Sequence, residues 1–180
     1  MRLILASASP RRRRLIGLLT DDFVAVTCDA EELAEGEPRR IAEENSRRKA
    51  LAASRLYRGT VLGADTVVDF AGKALGKPKD AAEAKRMLRA LSGRTHAVIT
   101  GVTLTDGAKT VTASERTAVR FAALPDAVID AYVNGGKAFG KAGAYGIQDE
   151  ELAGYITYEG DYYNVVGLPV ALTSLLMKEF

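Results

Sequence analysis

Short apolar runs of strand type alternate along this chain with longer stretches of helical period. Leu3 to Ala6 is apolar throughout, and Ser9 followed by Pro10 supplies an N-cap and a pre-organised first helical position. A strand therefore leads into a helix over 10–19. Phe23 to Thr27 is a second strand, an acidic loop follows at Asp29-Ala30-Glu31-Glu32, and Pro38 opens a helix reaching to about Leu56. Thr60 to Phe70 is a β-rich apolar run with a carboxylate, Asp65, set inside it. Asp80 and Glu83 have capping-box spacing, and Ala84, Met87, Leu88 and Leu91 recur behind them at helical period. Thr95–Thr105 and Lys109–Phe121 flank Asp106-Gly107, a strong hairpin signal. Pro125 opens a helix through Val133 that Asn134-Gly135-Gly136 closes. Tyr155–Tyr158 and Tyr162–Val166 bracket Glu159-Gly160-Asp161 and read as a second hairpin, and Pro169 begins a last helix. Helices interleaved with antiparallel hairpins predict an α/β fold with a mixed sheet rather than a doubly wound parallel one.

At 180 residues, with 47% hydrophobic residues, the chain suits one domain spanning 1–180, or one fold with two lobes, around a substantial core. The formal charge of +2 makes the run Arg11-Arg12-Arg13-Arg14 a local feature and argues against a nonspecific nucleic-acid binder, as does the lack of a basic and aromatic stripe. Cys28 is the only cysteine, which excludes an intramolecular disulfide and leaves an intracellular, cytoplasmic setting as the expectation. No apolar stretch has the length of a membrane span.

Four arginines at a helix start oppose the local macrodipole, so something negative is expected to offset them. A phosphate chain fits, because helix N-termini bind phosphate and arginine forks match its oxygens. Asp65 is costly to bury unless paired, metal-bound or open to a cleft, which marks it as a general base or metal ligand. Thr66 beside it is placed to add a hydrogen bond, and Gly63-Ala64 to let a substrate approach. Glu31 and Glu32, brought near Asp65, would supply oxygen ligands for Mg²⁺. Zinc does not suit a chain with one histidine and one cysteine, and His96 reads as structural. Lys49 ends Arg47-Arg48-Lys49 on a helix, and Lys77 sits between Gly76 and Pro78 at a stiff loop tip. Lys141 precedes a glycine-rich stretch whose small residues leave room for a flat base, and Gln148 has the donor and acceptor needed to read a base edge. Neither GxxxxGK[ST] nor GxGxxG is present, and no serine or cysteine nucleophile signature occurs. Cations with a few carboxylates suit metal-assisted attack of water on a phosphoanhydride.

Several ordered motifs carry a resemblance that spans nearly the whole chain. They are Ser7-Ala8-Ser9-Pro10-Arg11-Arg12, Gly63-Ala64-Asp65-Thr66-Val67-Val68, Gly76-Lys77-Pro78, Leu91-Ser92-Gly93-Arg94-Thr95-His96, Lys141-Ala142-Gly143-Ala144-Tyr145-Gly146-Ile147-Gln148 and Val165-Val166-Gly167-Leu168-Pro169. On them the chain resembles the Maf family of nucleoside triphosphate pyrophosphatases, once described as septum-formation inhibitors. The resemblance implies an inosine-triphosphatase-like α/β fold, with a long mixed sheet bent around a cleft and helices on both sides. It implies hydrolysis of a nucleoside triphosphate between the α and β phosphates, a divalent cation (Mg²⁺ or Mn²⁺), and a homodimer as the possible assembly. By position, Asp65 matches the family's proton acceptor and, with Glu32, its metal site, an acidic position that Glu31 one residue earlier also fits, and Ser7, Arg12, Lys49 and Lys77 match residues of the triphosphate and active site. Arg11, Thr66 and Gln148 agree with the subgroup that hydrolyses dTTP and UTP and differ from the 7-methyl-GTP subgroup. The alternatives are a purine-nucleotide pyrophosphatase and a non-catalytic, nucleotide-responsive regulator of cell division. Two departures bear on the site: Asn45-Ser46 stand where the family commonly has Leu-Ala, and Asp149-Glu150 follow Gln148 where glycine is expected, bringing negative charge toward the base pocket.

Overall fold

In the computed structural model, which describes residues 2–180, the apolar runs assemble into one seven-stranded mixed sheet. The elements run β1 (Leu3–Ala6), α1 (Pro10–Ile16), β2 (Phe23–Val26), α2 (Pro38–Ser54), β3 (Val61–Phe70), β4 (Lys73–Leu75), α3 (Ala81–Leu91), β5 (Thr95–Thr105), β6 (Thr110–Phe121), α4 (Asp126–Asn134), a 3-10 turn (Ala142–Ala144), α5 (Glu150–Ala153), β7 (Ile156–Glu159), α6 (Tyr162–Val166) and α7 (Val170–Met177). The strand order is β2-β1-β3-β5-β6-β7, with β4 paired to β3 off this path. The β1 strand is parallel to both its neighbours, and all other pairings are antiparallel.

The two-residue period of β3 sorts the layers. Val61 packs with Ala50 and Ala53, and Val67 with Ile41 and Ala42, so odd-numbered residues face α2. Leu62 and Ala64 pack instead with Leu15, Ile16 and Leu176 of α1 and α7, and Val68 with Leu88 and Tyr132 of α3 and α4. Helices thus cover both sides of the sheet, as expected. On the second face, the two apolar clusters are separated by a polar seam. There the buried Thr100 hydroxyl donates to the Asn164 carbonyl (3.0 Å), and Asn164 Nδ2 donates to Val98 O and Thr117 Oγ1 (both 3.0 Å).

The second predicted hairpin is not found. Ile156–Glu159 is a strand, but its partner is β6, and Tyr162–Val166 is a helix. The reason is local: the Asp161 carboxylate accepts from the Tyr163 and Asn164 amides as an N-cap, and Gly167 at φ 130° ends the turn. The short strand β4, which Ala71-Gly72 folds back on β3, and the short helix α5 had no clear periodic signal.

Candidate active site

One stretch of β3 has an open edge. On one side β3 is paired with β5 from Val61 to Asp69. On the other, β1 covers it only as far as Gly63, and β4 only from Val68. Beyond the end of β1 the chain turns away into α1, leaving a notch opposite residues 64–67. A cleft of about 540 Å³ opens into this notch, a size typical of small-molecule sites. Every candidate residue lines it except Glu31, which is exposed on the acidic loop. Ser7 comes from the turn after β1, Arg11 and Arg12 from the first turn of α1, Glu32 from the acidic loop, and Lys49 from α2. Asp65 and Thr66 come from β3, Lys77 from the loop after β4, and Gln148 from the segment before α5.

Asp65 faces α2, and two glycines set how near α2 comes. A Cβ on Gly63 would meet Ser46 O at 2.3 Å, and one on Gly101, which pairs with Asp65, would meet Ala42 O at 2.3 Å. The helix backbone therefore rests directly on the sheet. The room at Gly63 is taken by α2 and not by a substrate, which corrects that expectation. Asn45 and Lys49, one helical turn apart, reach Asp65 together. Lys49 Nζ lies 2.6 Å from Oδ1, and Asn45 Nδ2 donates to Oδ2 at 3.2 Å. The same ammonium lies 2.9 Å from Glu32 Oε1. Asn45 also accepts from Leu33 N (2.6 Å) and donates to Leu33 O (3.1 Å), tying the acidic loop down beside Asp65. Burial pushes the Glu32 carboxyl up, but its Lys49 partner, with Lys77 and Arg12, outweighs this and holds it below the usual range. Ser46 is buried and satisfied by Glu43 O and Thr103, so the Asn45-Ser46 departure leaves Lys49 aimed at Asp65.

Strand alternation sends Thr66 to the other face, where its hydroxyl accepts from Arg12 Nη2 (3.0 Å) and pairs with Thr100 (2.9 Å). It does not reach the Asp65 carboxylate, contrary to the expected hydrogen bond. Arg12 also donates from Nε to Gly167 O at 2.8 Å and from Nη1 to Ser7 Oγ at 3.5 Å. Burial lowers its pKa, and the nearby Asp65 charge works against that. Arg11 donates to Gly140 O at 3.2 Å. Carbonyl and hydroxyl oxygens thus take up the first-turn arginines, while Arg13 and Arg14 point to solvent.

The lysine at the loop tip, Lys77, is exposed and has no ion-pair partner among the described residues. The preceding Gly76 accepts from Gly143 N at 3.0 Å, fastening this loop to the glycine-rich segment. Gly143, at φ 66°, rests against Val68, and a Cβ on Gly146 would strike the Gln148 amide and the Asp149 carboxylate. The small residues are used to fold the segment onto itself. Lys141 is held by Asp149, which also accepts from the Tyr132 hydroxyl. The added charge at 149 is therefore neutralised in place, which corrects the expectation of negative charge in the base pocket. Gln148 stays exposed at the cleft, with Nε2 donating to Asp149 Oδ1 at 3.2 Å. His96 is a core residue, bonded through Nε2 to the Tyr145 hydroxyl (2.7 Å) and stacked on Phe121.

Glu32 and Asp65 converge on one cation, the Lys49 ammonium, so their oxygens suit a hard divalent ion. Among the described residues no group of three or more His, Cys, Asp or Glu side chains is placed to hold a metal ion. None of the described helices is long and apolar enough to cross a membrane.

The architecture is that of the Ham1 proteins. The chain superposes on the Ham1 protein of Staphylococcus aureus with TM-score 0.60 at 13% identity, covering 99% of both chains, and on that of Coxiella burnetii with TM-score 0.61 at 17% identity, covering 100% of both. At these identities the likeness establishes the inosine-triphosphatase-like fold. The Maf-like protein model matches residues 2–180. The chain belongs to the Maf-like family. Among its relatives, the protein of Symbiobacterium thermophilum is 47% identical over 99% of this chain and 93% of its own length. That of Thermococcus gammatolerans is 46% identical over 94% and 92%. That of Pyrococcus horikoshii is 41% identical over 99% and 96%. Each of the three is named a dTTP/UTP pyrophosphatase.

Proposed function

We propose that this protein is a cytoplasmic, divalent-cation-dependent nucleoside triphosphate pyrophosphatase acting on dTTP and UTP, yielding the monophosphate and pyrophosphate. The observation that carries the reading is the Asp65 carboxylate, which opens onto the cleft in the β3 notch and shares it with Arg12, Lys49 and Lys77. The substrate class comes from the family and from relatives named for this activity over nearly their full length.

Arg12, Arg11 and Lys77 bind the phosphate oxygens. Arg12 is held rigidly by Gly167 O and Thr66, so it meets the triphosphate already oriented. Asp65 accepts a proton from a water whose oxygen attacks the α-phosphorus. The bond from that phosphorus to the bridging oxygen breaks, and pyrophosphate leaves with the electron pair. Asn45 donates to one Asp65 oxygen and so sets the direction from which the water approaches, while Lys49 holds the other oxygen in the empty cleft. A bound Mg²⁺ or Mn²⁺ would supply Lewis-acid charge stabilisation, and Glu32 and Asp65 are the residues that would hold it. Gln148 faces the base end of the cleft with a donor and an acceptor.

The test is incubation with a panel of dTTP, UTP, 7-methyl-GTP and ITP plus Mg²⁺, scoring pyrophosphate against orthophosphate. Pyrophosphate from dTTP and UTP is expected, and orthophosphate alone refutes the reading. Asp65→Asn is expected to lower kcat by about 10²–10⁴ with KM little changed. Wild-type turnover in a folded Asp65→Asn protein removes Asp65 from its role.

A further inference from the structure

We propose that Lys49 is a built-in counter-cation that occupies the divalent-ion seat between Glu32 and Asp65 until a nucleotide arrives, so that this protein takes up ion and triphosphate together and does not load the ion first. This rests on the reading of Glu32 and Asp65 as the residues that hold the ion.

Geometry makes the case. The Lys49 ammonium stands 2.9 Å from Glu32 Oε1 and 2.6 Å from Asp65 Oδ1, with its side chain only 16% exposed. The other Asp65 oxygen is engaged by Asn45 Nδ2, whose orientation is dictated by its two bonds to the Leu33 backbone. A dication entering alone has to expel the ammonium from two ion pairs and leave it without partners in a confined place. It also meets Arg12 and Lys77, and the cleft is lined by five cationic side chains against the two carboxylates. These like charges repel it even at the effective dielectric of a protein surface.

A triphosphate inverts the balance. Its oxygens give Lys49 new partners within reach of the same helix and screen Arg12 and Lys77 from an incoming ion. The carboxylates then exchange a monovalent cation for a divalent one, and every charge stays paired throughout. The charge count therefore favours an ion that arrives on the nucleotide.

The experiment measures Mn²⁺ binding to the intact protein without nucleotide, by the loss of the free-ion EPR signal and by the rise in Tm that a ligand of the folded state produces. Wild type and Lys49→Arg are expected to hold Mn²⁺ only weakly. Lys49→Met and Lys49→Gln are expected to bind it about tenfold or more tighter, since the internal competitor is gone. Lys49→Gln keeps a hydrogen-bond donor between the carboxylates and serves if Lys49→Met folds poorly. Adding a UTP analogue with a methylene bridge between its α and β phosphates is expected to bring Mn²⁺ onto the wild-type protein. Equal Mn²⁺ affinity in wild type, Lys49→Met and Lys49→Gln overturns the proposal. If wild type still releases pyrophosphate from UTP, the enzymatic reading survives that result. A tenfold gain without pyrophosphate release from any nucleotide has the reverse meaning: the seat is real and the enzymatic reading fails.

Discussion

Asp149 shows how one side chain changes the meaning of its neighbours. It draws the Lys141 ammonium and the Tyr132 hydroxyl to one oxygen and the Gln148 amide to the other, in a corner where the Asp149 and Lys141 side chains are 12% and 13% exposed. The Tyr132 hydroxyl is pushed up first by burial and then by this carboxylate, so it stays protonated and donates. Asp149→Ala strands the ammonium, and urea unfolding is expected to show a loss of about 2–4 kcal/mol, with a smaller loss for Asp149→Asn. This pairing was not legible in the sequence, where Lys141 marked only the start of a glycine-rich stretch and Asp149 read as negative charge near the base pocket. Asp65 was legible, because a carboxylate inside an apolar strand run has few physical outcomes. Asn45 was visible only as an odd residue on a helix. Its use depends on which strand residue that helix faces.

At the scale of elements, α2 and β3 act as one unit, and the contact between them is made by absent side chains. Gly63 and Gly101 let Ser46 O and Ala42 O lie within about a side chain's radius of the sheet, which brings the Asn45–Lys49 turn to Asp65. Gly63→Ala must lift this helix away from backbone atoms that have no freedom to give way. A stability loss of about 3 kcal/mol or more is expected in urea, together with a fall in kcat out of proportion to any change in KM, because the helix carries both partners of Asp65. Elements with caps and sustained period were read correctly: β5, β6, α3 and α4 stand within a residue or so of expectation. The stretch Tyr162–Val166 was misread because five residues do not separate the two periods, and the Asp161 cap decided for helix.

Across the whole molecule, the cluster of α3 and α4 against β5 and β6 encloses His96, and this gives the fold one source of pH dependence. Burial lowers the His96 pKa to about 4, and its Nδ1 has no partner. The unfolded chain therefore binds a proton near pH 6.5 that the folded one refuses until about pH 4. Stability from this group is complete above about pH 6.5 and declines as pH falls through the window to about 4, by on the order of 3 kcal/mol. Urea midpoints at pH 7 and pH 4.5 are expected to separate in wild type and to draw together in His96→Gln, which does not titrate. The residues alone determined which positions carry charge, where the well-capped elements begin, and which family pattern they spell, because these depend on neighbours along the chain. Only the tertiary structure decided that β1 stops short and leaves a notch, that Asp65 and Thr66 work on opposite faces, and that Lys49 sits between two carboxylates. Those outcomes depend on strand register and on how closely α2 approaches the sheet, which are set by residues far apart in sequence packing together.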